Sequence, residues 1–312
     1  MTEFMFEKYG VPAIYLSKSA ALSGYSYARA NCLVVDSGAS MTTVTPVIDG
    51  IAQQKCMMSV PIAGDYLTTE LYRHFQEKGI EIVPRFKVAQ RKNGAEPAKY
   101  KQGLSPDITY EIYQIKEIIR DFKETKLEIS ELYFANSLLP ETSKPIKMAV
   151  VMDEEAKGED SKDGPYELPD GRTLPTDEVT AKMASIFFSS QENKVVYQHD
   201  ARLENFAGIQ DLVMSSINKV DIDYKRDLFA NLLLSGGSTL LRGFKKRLEN
   251  ELQEMAPASQ KIKLMATSDT ERKVAPWIGG SILSSLGTFQ QMWMSKQEYD
   301  EHGSILVERK CP

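Results

Sequence analysis

Residues 31–46 constrain the fold of this chain more than any other stretch. Residues 32–35 form a short apolar run (Cys-Leu-Val-Val), which is typical of a buried β-strand. Asp36-Ser37-Gly38 then favours a turn, because glycine adopts φ > 0 without steric cost. Residues 42–47 are rich in β-branched side chains and predict a second strand. The stretch therefore predicts a strand, a tight turn and a strand.

The turn at Asp36-Ser37-Gly38 has two interpretations. A carboxylate and a glycine at such a turn can hold a phosphate on backbone N–H groups, with the acid facing a metal ion or its waters. An ordinary hairpin with a polar tip explains the same three residues, and a lone Asp-x-Gly is a weak signal. The turn by itself leaves both interpretations open.

Composition excludes several classes of protein. A length of 312 residues is enough for one large or two medium domains. The net charge of −5 gives no basic footprint, so direct nucleic-acid binding is not expected. Three widely spaced cysteines indicate a reducing compartment and argue against a disulfide framework or a zinc site. No apolar run is long enough to span a membrane and the start lacks a leader pattern, so we expect a soluble intracellular protein.

Hydrophobic periodicity predicts most of the other elements. Helices are predicted at residues 17–27, 65–79, 106–122, 177–187, 208–217 and 224–230, and again from Trp277. Strands are predicted at residues 80–83, 126–129, 146–151 and 261–266, and a hairpin at 166–174, where Pro-Asp-Gly marks the turn. Residues 87–101 are basic and lack an apolar period, which indicates a surface insertion rather than a nucleic-acid patch.

A second informative turn lies at residues 235–239, Ser-Gly-Gly-Ser-Thr. A buried strand is predicted before it at residues 231–234, and a helix after it from Leu240 to about Met255. Paired glycines between a strand and a helix N-terminus admit a flat or anionic ligand against bare backbone. A plain connection between strand and helix fits these residues equally well.

Longer motifs resemble actin, and the chain is identified from them as a member of the actin family. The resemblance rests on Ser235-Gly236-Gly237-Ser238, on the strings at residues 277–286, 289–293 and 296–301, and on Asp36-Ser37-Gly38, 166–171 and 221–223. Residues 18–20, 286–289 and 307–312 favour the nuclear actin-related branch over conventional actin.

The resemblance implies an α/β, actin-like fold of the kind shared with Hsp70 and hexokinase, amino-terminally truncated and carrying an inserted subdomain. In actin's terms, we expect residues 1–28 to end subdomain 1 and residues 276–312 to supply its carboxy-terminal part. Subdomain 3 would comprise residues 29–64 and 204–275, with subdomain 4 inserted between them at 65–203.

The resemblance also implies ATP as the cofactor. The expected contacts are Asp36, Ser37, Gly38, Lys116, Glu117, Gly236, Gly237, Ser238 and Lys273, while Leu241 departs from actin's tyrosine. Three residues that serve hydrolysis in actin are replaced: Ser19 stands for a glutamine, Ala39 for an acid and Thr43 for a histidine. Because phosphoryl transfer depends on positioning and charge, we expect ATP binding without turnover, with no catalytic residue and no protein metal ligand.

The implied role is that of a non-catalytic nuclear subunit of SWI/SNF-type chromatin-remodelling and histone acetyltransferase complexes, which regulates transcription. It would pair with actin on a helix of the remodeler ATPase, contact other subunits and meet the nucleosome indirectly, with no membrane partner. The expected groove for the partner helix comprises Tyr25, Ile278, Ile282, Leu283, Leu286, Thr288 and Met292. These residues could instead be the core of a terminal helix. The alternative functions are an actin-like ATPase or filament-forming actin, and a sugar kinase, for which no substrate motif is visible.

Overall fold

The computed structural model describes residues 1–92, 96–129, 165–174, 183–188 and 206–311. The chain forms two compact units. Unit 1 comprises Met1–Gly64, Gly208–Leu240 and Leu248–Pro312, and unit 2 comprises Asp65–Ala207 and Leu241–Arg247. The strand predicted at residues 146–151 and most of the helix predicted at 177–187 lie outside the described residues. The five-segment assignment to actin subdomains stays a prediction.

The strands are short and the helices are of moderate length. In chain order the strands are β1 (Ala13–Ile14), β2 (Cys32–Ser37), β3 (Thr42–Ile48), β4 (Ile51–Ala52), β5 (Met58–Val60), β6 (Val88–Gln90), β7 (Lys99–Tyr100), β8 (Tyr166–Glu167), β9 (Thr173–Leu174), β10 (Leu232–Ser235), β11 (Leu264–Met265) and β12 (Met294–Ser295). The α-helices are α1 (Ser19–Ser26), α2 (Gly64–Glu77), α3 (Ile108–Lys126), α4 (Ile209–Asn218), α5 (Ile222–Ala230), α6 (Phe244–Met255), α7 (Asp269–Lys273), α8 (Ala275–Ser284), α9 (Lys296–His302) and α10 (Val307–Lys310). No helix among the described residues has both the length and the apolar character needed to cross a membrane.

Unit 1 is built on a six-stranded mixed sheet in the order β11-β10-β2-β3-β4, with β5 also paired to β3. The central strand β2 is antiparallel to β3 and parallel to β10. Val34 is the register partner of Leu233 on one side and of Thr45 on the other. This confirms the predicted strand, turn and strand, and it places the two informative turns on neighbouring strands of one sheet.

Apolar side chains of the central strands form the core of this sheet. Cys32, Val34 and Leu233 are fully buried and pack with Val47 and with Ala20 of α1. Burial raises the pKa of the Cys32 thiol to about 12, so it remains a protonated apolar side chain. The apolar run that predicted the strand is continuous because both faces of β2 are covered.

Helices α1 and α8 are in backbone contact within unit 1. A Cβ placed on Gly279 of α8 would lie 1.7 Å from the carbonyl oxygen of Leu22 in α1. Gly279 is buried, and no side chain can occupy that space. The absence of a side chain therefore sets the distance between the two helices.

The ends of the chain pack together in a second small core of unit 1. Strand β1 is antiparallel to β12, and Phe6 stacks on Tyr299 with ring centroids 4.7 Å apart. Glu298 accepts hydrogen bonds from the Ser295 backbone and from Lys310 Nζ. These donors hold the pKa of Glu298 at about 2, with the Lys310 hydrogen bond as the largest cause.

Unit 2 combines α2 and α3 with two β-hairpins. Phe75 of α2 meets Phe122 of α3 edge to face with centroids 5.5 Å apart, and Phe122 meets Tyr166 of β8 at 5.3 Å. Phe188 packs on Phe244 at 5.1 Å. The hairpin of β8 and β9 confirms the turn predicted from Pro-Asp-Gly. The predicted surface insertion is a hairpin of β6 and β7.

Three predictions from periodicity are wrong. Helix α6 begins at Phe244 rather than at Leu240, because residues 237–240 form a 3-10 turn and Gly243 has φ +78°. Residues 80–83 are not a strand: Ile82 and Val83 are buried, but no neighbouring strand pairs with them in the described part of the chain. Residues 126–129 are not a strand: α3 continues to Lys126, and with the described residues they make a single parallel bridge, between Glu128 and Arg242.

Candidate functional site

Two turns meet at one edge of the unit 1 sheet. Strands β2 and β10 are parallel, and their last paired residues are Asp36 and Ser235, so the chain leaves both strands at the same edge. The Ser238 hydroxyl donates a hydrogen bond to the Gly38 carbonyl oxygen at 2.7 Å. The structure thus brings six predicted ATP contacts together: Asp36, Ser37, Gly38, Gly236, Gly237 and Ser238.

Gly236 is required by the geometry of these turns. Its φ is +90°, and a Cβ there would lie 2.3 Å from the Ser37 carbonyl oxygen and 2.7 Å from the Asp36 carboxylate. Gly237 is exposed, and a Cβ built on it meets no atom within 4 Å. The first glycine therefore permits the close approach of the turns, and the second presents open backbone of the kind that binds phosphate.

The carboxylate of Asp36 lies partly buried between the turns. Burial raises its pKa, and the nearby Ser235 side chain offsets part of that rise. Ser37 is fully buried and its hydroxyl donates to Thr42 Oγ1 at 2.8 Å, because Thr42 itself donates to the Ile62 carbonyl. The Ser37 side chain thus has a structural role, and only Asp36 offers a side-chain group to a ligand from this strand.

Arg272 fixes the second turn, and sequence reasoning missed it. Its carbonyl accepts from the Gly236 amide at 3.1 Å. Its guanidinium donates to the carbonyl oxygens of Thr239 and Thr267, each at 3.1 Å. The predicted contact Lys273 follows it at the end of α7 and is exposed. Only its position immediately before Lys273 could have drawn attention to Arg272.

The other two predicted ATP contacts, Lys116 and Glu117, lie on α3 in unit 2 and are not among the residues brought together in unit 1. Lys116 Nζ donates to Thr69 Oγ1 at 3.4 Å, and Glu117 pairs with Arg120 at 2.8 Å.

Sequence reasoning missed Lys123, which is buried and donates to Thr68 Oγ1 at 3.1 Å. Burial lowers the pKa of Lys123. A lysine four residues after Ile119, on the apolar stripe of the helix, was the available signal.

The residues predicted to form a partner groove differ in how far they are exposed. Leu283 is only 3 % exposed and packs in the interior of unit 1, so this structure does not present it at an open groove. Ile282 and Leu286 are 41 % and 44 % exposed and lie at the surface. The others range from partly buried to exposed: Tyr25, Ile278 and Met292 are partly buried, and Thr288 is exposed. Trp277, which sequence reasoning missed, is 74 % exposed on the same helix, and its size among small neighbours was the available signal.

The family model for actin matches residues 1–312 of this chain. The chain belongs to the actin family. Actin-related protein 4 of Arabidopsis thaliana is 36 % identical over 99 % of this chain and 67 % of that relative. Actin-related protein 4 of Emericella nidulans is 32 % identical over 99 % of this chain and 66 % of the relative. The SWI/SNF and RSC complexes subunit arp42 of Schizosaccharomyces pombe is 30 % identical over 99 % and 73 %.

These likenesses confirm the predicted actin-like α/β fold and the predicted resemblance to the actin-related branch of the family. This actin-family chain spans about two thirds of the length of the Arabidopsis and Emericella relatives.

The three residues predicted to replace actin's hydrolysis groups lie at different places in unit 1. Thr43 is the register partner of Asp36 on the next strand, and Ala39 is exposed at the tip of the turn. Ser19 is the exposed first residue of α1. None of these three side chains carries a charge or an imidazole.

Proposed function

We propose that this chain is a non-catalytic actin-related subunit of nuclear chromatin-remodelling and histone acetyltransferase complexes, in which it regulates transcription. One observation carries the proposal: relatives that match 99 % of the chain are named Actin-related protein 4 and SWI/SNF and RSC complexes subunit. We further propose that it pairs with actin on a helix of the remodeler ATPase, contacts other subunits, and meets the nucleosome indirectly.

The proposed ligand of the site is ATP, bound but not hydrolysed. The cradle around Gly236, where a Cβ would strike the Ser37 carbonyl, and the open backbone at Gly237 both favour a bound phosphate. Within unit 1, Asp36, Ser37, Gly38, Ser238 and Lys273 would hold the nucleotide, and Lys116 and Glu117 stay contacts that only the resemblance to actin implies. The phosphate oxygens of ATP would accept hydrogen bonds from backbone N–H groups of the turns and pair with a lysine.

The absence of turnover follows from the groups that Ser19, Ala39 and Thr43 lack. A serine cannot position an attacking water as a glutamine does, and alanine and threonine supply neither a carboxylate nor an imidazole. Because phosphoryl transfer is catalysed by such positioned groups, their loss lowers the rate by orders of magnitude.

The nucleotide proposal is tested by equilibrium dialysis with radiolabelled Mg-ATP and by release of inorganic phosphate. We expect saturable binding to the wild type, at least tenfold weaker binding to Asp36→Ala, and phosphate release at background for both. Steady phosphate release that disappears in Asp36→Ala would show an active ATPase and contradict the proposal. Pelleting of the chain into filaments on centrifugation would support the alternative of a filament-forming actin.

The exposed side chains of α8 support the proposed partner surface. Ile282 and Leu286 are four residues apart, on one face of the helix and its following turn, and Ile278 lies one turn earlier. Spaced apolar anchors of this kind bind an amphipathic helix. A few central anchors usually dominate such binding, so Leu286 is a sensitive position to change.

Assembly is tested by recovery of actin and the remodeler ATPase from nuclear extract on immobilised chain. Leu286→Asp places an unpaired charge in the proposed contact and should cost about 2 kcal/mol or more of binding energy. Ile305→Asp is the matched control, because Ile305 is a 71 % exposed isoleucine in another segment of unit 1. Circular dichroism verifies that both variants are folded. Equal recovery with Leu286→Asp and wild type would show that this helix is not the interface.

A further inference from the structure

Helix α3 carries an apolar stripe that runs past the core of unit 2. Ile108, Ile112, Ile115, Ile119 and Phe122 recur at helical spacing and share one face. The last three are buried, at 8 %, 0 % and 0 % exposure, whereas Ile108 is 71 % exposed and Ile112 is 37 % exposed. The first two turns of the helix therefore present to solvent the same apolar face that the rest of the helix buries.

The hairpin of β6 and β7 is fixed against this exposed end of α3. Lys87, next to β6, pairs with Glu111 in the first turn of α3 at 2.5 Å. The Lys101 amide donates to the Lys87 carbonyl oxygen at 2.8 Å. The rings of Phe86 and Tyr110 lie 5.3 Å apart. The base of the hairpin is thus held against the first two turns of α3, the part of the helix that carries Ile108 and Ile112.

Positive charge is in surplus on this part of unit 2. Residues 85–113 contain six Lys or Arg and three Asp or Glu, in a chain whose net charge is −5. Lys87 is neutralised by Glu111. Arg85, Lys99 and Lys101 are exposed and form no ion pair with any residue that the structure describes. Their charges remain available for a partner.

The other side of the hairpin is held by the turn between β8 and β9. The Lys92 amide donates to the Asp170 carbonyl oxygen at 2.7 Å, and the Tyr100 hydroxyl donates to the Asp170 carboxylate at 3.1 Å. Arg91 pairs with Glu167 at 2.7 Å. Because the strands β6 and β7 are anchored on both sides, a ligand need not order these strands on binding, which lowers the entropic cost of association.

We propose that this surface docks an acidic amphipathic segment of a partner protein. The docking surface comprises three exposed apolar residues, Leu104, Ile108 and Ile112, and three cations, Arg85, Lys99 and Lys101. Apolar side chains of the partner cover the open end of the stripe, and its carboxylates pair with the cations and accelerate association.

The same residues fit a polypeptide better than a nucleic acid. Asp107, the exposed N-cap residue of α3, repels a phosphate backbone next to Ile108, whereas a peptide can place its acids away from it. The proposal is independent of the nucleotide site and of the helix-binding surface in unit 1.

Fluorescence anisotropy with the full chain tests the proposal. The probe is a fluorescein-labelled synthetic helix of leucine and glutamate, with leucines spaced three and four residues apart. A second probe has lysine in place of every glutamate. We expect the glutamate probe to bind at least tenfold more tightly than the lysine probe, and its affinity to fall as sodium chloride is added. Equal binding of the two probes, or no binding of either, overturns the proposal.

Matched variants locate the binding site. Lys99→Glu with Lys101→Glu, and separately Ile108→Ser, should each weaken binding of the glutamate probe about tenfold. The controls are Lys245→Glu with Lys246→Glu, an exposed lysine pair on α6, and Ile222→Ser, at an 82 % exposed isoleucine on α5. All of these side chains are exposed, and thermal unfolding verifies the fold. Controls that weaken binding as much as the test variants, or tighter binding of labelled oligodeoxythymidine than of the glutamate probe, overturn the proposal.

Discussion

The Ser238 hydroxyl donates a hydrogen bond to the carbonyl oxygen of Gly38 at 2.7 Å, although the two residues are 200 positions apart in the chain. The same carbonyl accepts from the Gly64 amide at 3.1 Å. One oxygen atom thus joins the turn after β2, the turn after β10 and Gly64, all within unit 1. This contact holds both glycine turns of the proposed nucleotide site in place.

Ser238→Ala should destabilise unit 1 by about 1 kcal/mol, because it removes the donor of a largely buried hydrogen bond. The free energy of unfolding in urea measures the effect. Ser40→Ala, at an exposed serine near the tip of the same hairpin, is the control and should change stability by less than about 0.5 kcal/mol. Equal values for the two variants would show that the Ser238 contact does not stabilise the junction.

The paired glycines should respond in opposite ways to alanine. Gly236 has φ +90°, and the Cβ of Gly236→Ala would lie 2.3 Å from the Ser37 carbonyl oxygen. We therefore expect this variant to lose about 2 kcal/mol or more of its free energy of unfolding. Gly237→Ala meets no atom within 4 Å, so we expect a change of no more than about 1 kcal/mol. Thermal unfolding of the two variants side by side makes the comparison. Similar destabilisation by both would contradict the geometry of the turn.

The contact between α1 and α8 gives a second matched pair. Gly279→Ala would place a methyl group 1.7 Å from the Leu22 carbonyl oxygen and must force the helices apart, at a cost of about 3 kcal/mol. Gly280→Ala meets only the end of the Leu22 side chain at 3.8 Å and should be tolerated. Soluble yield and urea unfolding report the difference, and normal stability of Gly279→Ala would refute the close packing.

Acid should weaken the terminal core of unit 1 through Glu298. Its pKa is about 2 in the folded chain, against an ordinary value of 4.5, because Lys310 and Ser295 donate to the carboxylate. A depressed carboxyl pKa stabilises the fold above about pH 4.5, and this stabilisation is lost as the pH falls towards about 2.

We therefore expect Glu298→Gln to be less stable than wild type at about pH 6 and to lose less stability on acidification. Urea unfolding at a series of pH values measures both effects. Glu308→Gln, at an exposed glutamate on α10, serves as the control and should follow the wild-type profile. A wild-type profile for Glu298→Gln as well would show that the hydrogen bonds to Lys310 and Ser295 do not stabilise the fold.

Local patterns predicted those elements whose signal is local. The apolar run at residues 32–35 and the turn at Gly38 gave the β2–β3 hairpin, because a hairpin is formed by residues that are close in sequence. Periodicity failed at residues 80–83, where buried side chains lie in irregular backbone. An apolar pattern reports burial, but it does not report whether another strand is present to pair with.

Part of the candidate site could be predicted from the sequence, because some of its residues belong to local turn motifs. Asp36, Gly38 and Gly236 were found because turn residues and long motifs identify themselves in sequence. Arg272 and the buried Lys123 were missed, since their roles depend on carbonyl and hydroxyl groups supplied by distant segments. Leu283 and Leu286 lie within one helix end and look alike in sequence, yet one is 3 % and the other 44 % exposed.

The sequence by itself determined the family and the glycine turns, because residue identity alone decides which motifs and turn-forming residues are present. Tertiary structure decided that β10 lies parallel to β2, so that Ser238 reaches Gly38. It also decided which face of α8 is covered and how far the stripe of α3 extends beyond its core. Those outcomes depend on the energy of packing distant segments together, and no local pattern encodes which segments will meet.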